Sequence, residues 1–183
     1  MPRRIAFLRA INVGGHVVTM AALRGHFEAL GLEQVETFIN SGNVIFSTKA
    51  KDAKNDAALE RKIEARLEKA LGYEVKTFLR SEAELAAIAR YQPFDAARIA
   101  AAPTFCVGFL AAPLDAAAQK LLAEMKTDAD DFHLNGREMY WLSTRKQSES
   151  KFSNARFERT LKISSTFRGV NTITRLAEKY SLL

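Results

Sequence analysis

The tetrapeptide Asn40-Ser41-Gly42-Asn43 falls between two β-rich segments, Gln34 to Ile39 and Asn43 to Ser47, and its glycine offers the positive φ that hairpin loops use. What precedes that hairpin narrows the fold. Ile5 to Ile11 alternates as a strand, with Ile5, Phe7, Arg9 and Ile11 on one face. Thr19 then caps a helix in which Leu23, Phe27 and Leu30 recur at helical spacing, and Gly31 closes it. After the hairpin, the polar connector Asp52 to Lys54 leads into a second amphipathic helix, marked by Leu59, Ile63, Leu67 and Leu71 and ended by Gly72, and Val75 to Leu79 is a strand. The order βαββαβ predicts an α+β fold whose residues 1–80 form a ferredoxin-like half.

Residues 81–183 read as a second α+β half. Ser81-Glu82-Ala83-Glu84 matches a capping box and opens a short helix that stops before Pro93. Pro103 to Leu110 is a strand, Leu114 to Met125 a helix, and Asp130 to Leu134 with Glu138 to Leu142 a hairpin turning at Asn135-Gly136. Strand, helix and hairpin thus occur again in the same order. Two C-terminal helices complete the expectation. Phe152, Ser153 and Phe157 form a hydrophobic staple opening a helix to Lys162, and Ile173, Leu176 and Tyr180 mark a last helix with Asn171 as N-cap.

The chain has 183 residues, 48% of them hydrophobic, enough for one sizeable core or two small ones. No apolar stretch approaches the roughly 18 residues of a membrane span, and no cleavage site follows the N-terminal run, so a soluble, unprocessed, cytoplasmic protein is expected. The single cysteine, Cys106, lies in the apolar run TFCVGFL and reads as a small hydrophobe; a disulfide framework within one chain is excluded. The three scattered histidines have no metal-ligand spacing, and neither a metal nor a cofactor is expected. The net charge of +6 is uneven: Lys and Arg match Asp and Glu at eighteen each over residues 1–143 and exceed them nine to three over 144–183. Such a basic segment either steers phosphates and polyanions toward the protein or is an ordinary solvated face.

Gly14 and Gly15 follow a strand and precede a helix, where backbone N–H groups can cradle an anion. Neither GxGxxG nor GxxxxGK[ST] is present, so the pair is an anion cradle of another kind or a turn, with Asn12 bonding local backbone. Arg9 shares its strand face with Ile5 and Phe7, and a buried guanidinium must have a partner: a carboxylate such as Glu36, a set of carbonyls, or a ligand anion. Ser41 as a nucleophile would need a base. His26 falls on a solvated helix face, and His16 reaches the hairpin only by tertiary contact. Phe7 and Phe46 fall short of the aromatic platform of an RNA-recognition module and read as core. In the basic segment, Arg156, Arg159 and Lys162 make one stripe, with Glu158 and Glu178 interleaved, and Arg168 before an Asn171-capped helix is suited to an anion pocket.

RAINVGG, INSGNVIFST and SKFSNARFERTL…TFRGVNT, taken together, resemble the DUF1697 family of uncharacterised bacterial proteins over nearly the whole chain. The resemblance rests on Arg9, Ile11 to Gly15, Met20, Leu23, Ser41 to Val44, Phe46, Pro93-Phe94, Tyr140, Ser150-Lys151, Arg168 and Asn171-Thr172. It implies an α+β protein with a ferredoxin-like portion and no established activity. Where many relatives read TRNWNT this chain has Phe167-Arg168-Gly169-Val170-Asn171-Thr172, so a role requiring an indole there does not carry over. His16 to Thr19 also replaces a segment that is polar and often basic in relatives.

The functional expectation is a binding module that holds an anionic ligand, a nucleotide or a nucleic-acid phosphate, in a cleft between the halves. Its candidate residues are Arg9, Asn12, Gly14, Gly15, Ser41, Gly42, Asn43, Lys151, Arg168, Asn171 and Thr172. The alternatives are a small enzyme in which Arg168 and Lys151 orient a phosphorylated or carboxylated substrate, and an interaction protein in which the same motifs only hold the architecture.

Overall fold

The computed structural model describes residues 1–12 and 14–183, and the chain forms two compact units, 1–86 and 87–181. The first contains β1 (Arg3–Leu8), α1 (Met20–Glu28), β2 (Glu33–Phe38), β3 (Asn43–Ser47), α2 (Asp56–Leu71) and β4 (Thr77–Ser81). Its four strands form one antiparallel sheet in the order β2-β3-β1-β4, which is the ferredoxin-like order. Alternation decides which side chains meet the helices. Ala6, Leu8, Val44, Phe46 and Leu79 share a core with Leu23 and Phe27 of α1 and Leu59, Ile63 and Leu67 of α2. Local chemistry sets the helix ends: Thr19 Oγ1 accepts from the Ala22 amide, Asn55 caps α2, and Gly72 ends α2 in the left-handed region.

Two strand limits differ from the sequence expectation. Ala10 has φ +55°, which stops β1 at Leu8, so Arg9 and Ile11 lie beyond the strand. β4 starts at Thr77, and the Arg9 amide donates to the Lys76 carbonyl at 2.8 Å just outside the ladder. The hairpin closes with Phe38 opposite Asn43, leaving a four-residue loop at 39–42 with Ile39 and Gly42 both at positive φ.

β4 pairs with one strand only, yet its remaining amides are served. The Thr77 N–H donates to Glu64 at 2.9 Å, that of Leu79 to Glu60 at 2.8 Å, and that of Ser81 to Glu84 at 2.7 Å. Ser81 Oγ in turn accepts from the Glu84 amide at 3.2 Å, completing the capping box expected from SEAE. This box opens α3 (Glu82–Arg90), which runs across the boundary between the units.

After the end of α3 the second unit continues with α4 (Ala96–Ala101), capped by Asp95 and absent from the sequence expectation. Then come β5 (Thr104–Leu110), α5 (Ala116–Glu124), β6 (Asp130–Asn135), β7 (Glu138–Ser143), α6 (Asn154–Leu161), β8 (Ser165–Gly169) and α7 (Val170–Lys179). Strand β8 was likewise not expected. With it the sheet order is β6-β7-β5-β8, so the second unit has the same βαββαβ order as the first. Registers match position for position: Ile5 lies opposite Ile45 and Arg80, and Val107 opposite Tyr140 and Arg168. Leu8 N–H to the Gly42 carbonyl is answered by Leu110 N–H to that of Arg137, and Thr77 on Glu64 by Ser165 on Glu158.

Cys106, Leu110, Met139, Trp141, Phe152, Phe157 and Leu161 form the core on the helical side of this sheet. Phe152 and Phe157 pack at 6.0 Å with Ser153 as N-cap, which is the staple read from the sequence. The β6–β7 turn is Gly136-Arg137, since Asn135 still pairs with Glu138. No helix among the described residues is long and apolar enough to cross a membrane.

Thr77 is 3% exposed beneath the Glu64 side chain, so removing that carboxylate takes a charge-assisted acceptor from its N–H. Glu64→Ala is expected to lower unfolding stability in urea by about 1–3 kcal/mol, and the exposed neighbour Lys62→Ala by less than about 0.5 kcal/mol.

Candidate functional site

In the first unit the motif residues gather at one end of the sheet, where the loop after β1, the β2–β3 loop and the α2–β4 connection meet. A Cβ on Gly42 would lie 2.8 Å from Ile11 Cγ2 and 3.1 Å from Leu8 Cβ, so the loop can close against these residues only with glycine there. Asn43 is fully buried; its amide nitrogen donates to the Phe38 carbonyl at 3.0 Å and to Ser41 Oγ at 2.8 Å. Asn12 Oδ1 accepts from the Val18 amide at 2.8 Å, which ties the loop down in front of α1. These bonds commit three of the candidate side chains, Asn12, Ser41 and Asn43, to loop geometry.

Gly14 and Gly15 differ. Both are exposed, at φ +69° and +87°, and a Cβ on either would meet nothing within 4 Å, so conformation rather than crowding selects glycine. His16 beside them stacks on Tyr73 at 3.9 Å with 26° between the rings. The Tyr73 hydroxyl donates to the Ile11 carbonyl at 2.8 Å, and burial raises its pKa, which keeps it a donor. Arg9 is half-buried near Glu74 and Lys76. Lys76 Nζ lies 2.8 Å from Glu74 and 3.5 Å from Glu64. The hydrogen bond from Lys76, its charge and that of Arg9 hold the Glu74 carboxyl below the ordinary glutamate range. Sequence reasoning missed Tyr73, Glu74 and Lys76; their signal was their position directly after the helix-ending Gly72.

In the second unit the candidate residues lie in different surroundings. Arg168 is in β8 rather than in a loop before a capped helix. It is 8% exposed, its Nη1 donates to Thr166 Oγ1 and to the Phe167 carbonyl, both at 2.8 Å, and burial pushes its pKa down to about 10. Gly169 is the N-cap of α7, so Asn171 is an exposed residue of the first turn and not the cap. Thr172 Oγ1 sits 4.0 Å from where a Gly169 Cβ would be. Lys151 is exposed, and its carbonyl accepts from Arg156 at 3.2 Å. Arg156, Arg159 and Lys162 are all exposed, opposite the buried Phe157 and Leu161.

Nucleophile chemistry finds little support among the groups that could serve it. His133 is hydrogen-bonded to the Tyr91 hydroxyl at 2.7 Å, and His26 is half-buried rather than solvated, with burial and the Arg66 charge lowering its pKa. Burial pushes the Cys106 thiol up to about 11, which keeps it protonated at neutral pH. Asp130, 3% exposed, accepts from Trp141 Nε1 at 2.9 Å, Ser150 Oγ at 2.8 Å and Thr127 Oγ1 at 3.1 Å. Burial alone would raise its pKa; these hydrogen bonds outweigh that and hold it below the ordinary aspartate value. Cavities in the unit include one of about 420 Å³ beside Arg98, Lys126 and Asp131 and one of about 340 Å³ beside Cys106, Gly169 and Asn171. Among the described residues no group of three His, Cys, Asp or Glu side chains is placed to hold a metal ion.

Two ferredoxin-like repeats in tandem, with glycine and asparagine motifs concentrated in the loops of the first, define an α+β protein of duplicated topology. The profile of a family described as "Protein of unknown function (DUF1697)" matches residues 1–140, and the chain belongs to that family. The conserved bacterial protein SP0830 from Streptococcus pneumoniae has a similar structure, with a TM-score of 0.72 and 27% identity over 99% of each chain. No curated protein matches the chain.

Gly42→Ala is expected to cost about 2–4 kcal/mol, combining left-handed backbone strain with overpacking against Ile11, whereas Gly15→Ala costs only the strain, about 1 kcal/mol; chemical denaturation of both variants checks the ordering. Because Asp130 titrates below its unfolded value, its stabilisation is complete above about pH 4 and is lost as pH falls through the folded value. Melts followed by the single tryptophan, Trp141, are expected to show Asp130→Asn less stable than wild type at pH 7 and less sensitive to acidification toward about pH 3.

Proposed function

We propose that the chain is a binding module for an anionic ligand, a nucleotide or nucleic-acid phosphate, received by the loop end of the first unit. The observation that carries this reading is the contrast within the motif: Asn12 Oδ1 and the Asn43 amide nitrogen serve the loops, while Gly14 and Gly15 sit exposed, with open space around them, in the segment that follows Arg9. Exposed backbone N–H groups in a loop that also carries a guanidinium suit a phosphate. The stacked His16 ring, itself exposed, adds an aromatic face next to them.

A second reading, in which the chain is an interaction protein whose motifs only hold the architecture, is favoured by the structural bonds of Asn12, Asn43 and Gly42. The two separate on one experiment. A thermal-shift series with inorganic phosphate, ATP and a short single-stranded oligonucleotide is expected to raise the melting temperature of wild type, and Arg9→Ala is expected to abolish the rise while remaining folded. An unchanged melting temperature with every probe, or an equal rise in Arg9→Ala, removes the binding reading in favour of the second.

A further inference from the structure

The 420 Å³ cavity of the second unit falls within the volume range of small-ligand sites. Arg98 of α4 and Lys126, just past α5, approach it from two sides and share one carboxylate: Arg98 Nη2 lies 2.8 Å from Asp131 Oδ2 and Lys126 Nζ 2.7 Å from Asp131 Oδ1. The guanidinium also sits over the Phe94 ring at 5.4 Å. Asp131 therefore fixes two cationic heads with a single negative charge, and both side chains remain more than half exposed. Their other N–H donors are solvated and already oriented. Asp128 lines the same cavity, is exposed, and makes no ion pair among the described residues. The rest of the lining is Ala101, Ala102, Ala129 and the buried Leu142, together with two threonines, Thr127 and Thr144.

We propose that this cavity binds a free α-amino acid with an aliphatic side chain. Its carboxylate meets Arg98 and Lys126, its ammonium meets Asp128, and its side chain lies over Leu142 and the alanines. The formal charges of the four ionic side chains cancel, which matches a zwitterion of zero net charge. A phosphate dianion of the same size faces two carboxylates, and a simple amine faces the cation pair, so each leaves a charge opposed. The site is independent of the loop end of the first unit and does not rest on the binding proposed there.

The test is isothermal titration of the full chain with L-leucine, with 4-methylpentanoate, which lacks the ammonium, with 3-methylbutylamine, which lacks the carboxylate, and with glycine. Leucine is expected to bind about tenfold or more tighter than either half-molecule, since each charge-assisted contact is lost in one of them. Glycine is expected to be weaker still, by about fourfold for each methylene-sized group removed. Asp128→Asn is expected to erase the preference for leucine over 4-methylpentanoate while leaving the acid's own affinity within about twofold. Lys126→Gln and Arg98→Gln weaken leucine and 4-methylpentanoate together, and Arg9→Ala changes nothing. No saturable leucine binding up to about 10 mM, leucine no tighter than its halves, or a preference that survives Asp128→Asn would each overturn the proposal. Asp128 is exposed and structurally uncommitted, so its variant keeps the test valid even if Arg98→Gln unfolds.

Discussion

Each unit depends on one strand that must be hydrogen-bonded on both edges. Ile5 to Leu8 and Val107 to Leu110 are all buried, so no water reaches their amides and carbonyls, and every one of these groups needs a protein partner. β3 and β4 supply them for β1, β7 and β8 for β5. Chain order then leaves little choice: a helix must cross between β1 and the far edge, the hairpin must return beside β1, and a second helix must carry the chain to the open side. The same arithmetic of partners, met twice, yields the same fold twice from segments with little residue-level likeness.

Much of this was legible because the signals were local. Helix periodicity, the Thr19 cap, Gly72, the SEAE box and the Phe152 staple each identify an element through neighbours within a few residues, and each element stands where its signal lay. β8 was not legible for a physical reason. Its sequence, STFRG, buries Thr166 and Arg168 on one face, and a strand that buries a hydroxyl and a guanidinium does not announce itself by apolar alternation. α4 is short and alanine-rich, with no buried residue to mark its period. The early stop of β1 at Ala10 was equally hidden, because an alanine at positive φ has no sequence signature.

The candidate residues separate along the same line. Gly42 was readable as a turn, but that it is pressed against Ile11 depends on tertiary packing. Asn12 and Asn43 stood out as amides in an apolar setting, and each answers a specific backbone group. Tyr73 and Lys76, which meet the same loop from far along the sequence, could be found only once the topology placed the α2–β4 connection there. Arg98, Lys126 and Asp131 are similarly scattered and become a group only through β6 and the helices beside it.

The three glutamates along β4 have a consequence beyond holding that strand. An edge strand with idle amides is a template on which foreign strands can add, and it is how sheets grow into fibrils or recruit peptides by strand addition. Here Glu60, Glu64 and Glu84 occupy the amides of alternate residues along β4. An incoming strand would have to displace three carboxylates to register with it. That edge is closed to templated growth, and a partner approaching the first unit from that side must engage side chains rather than backbone.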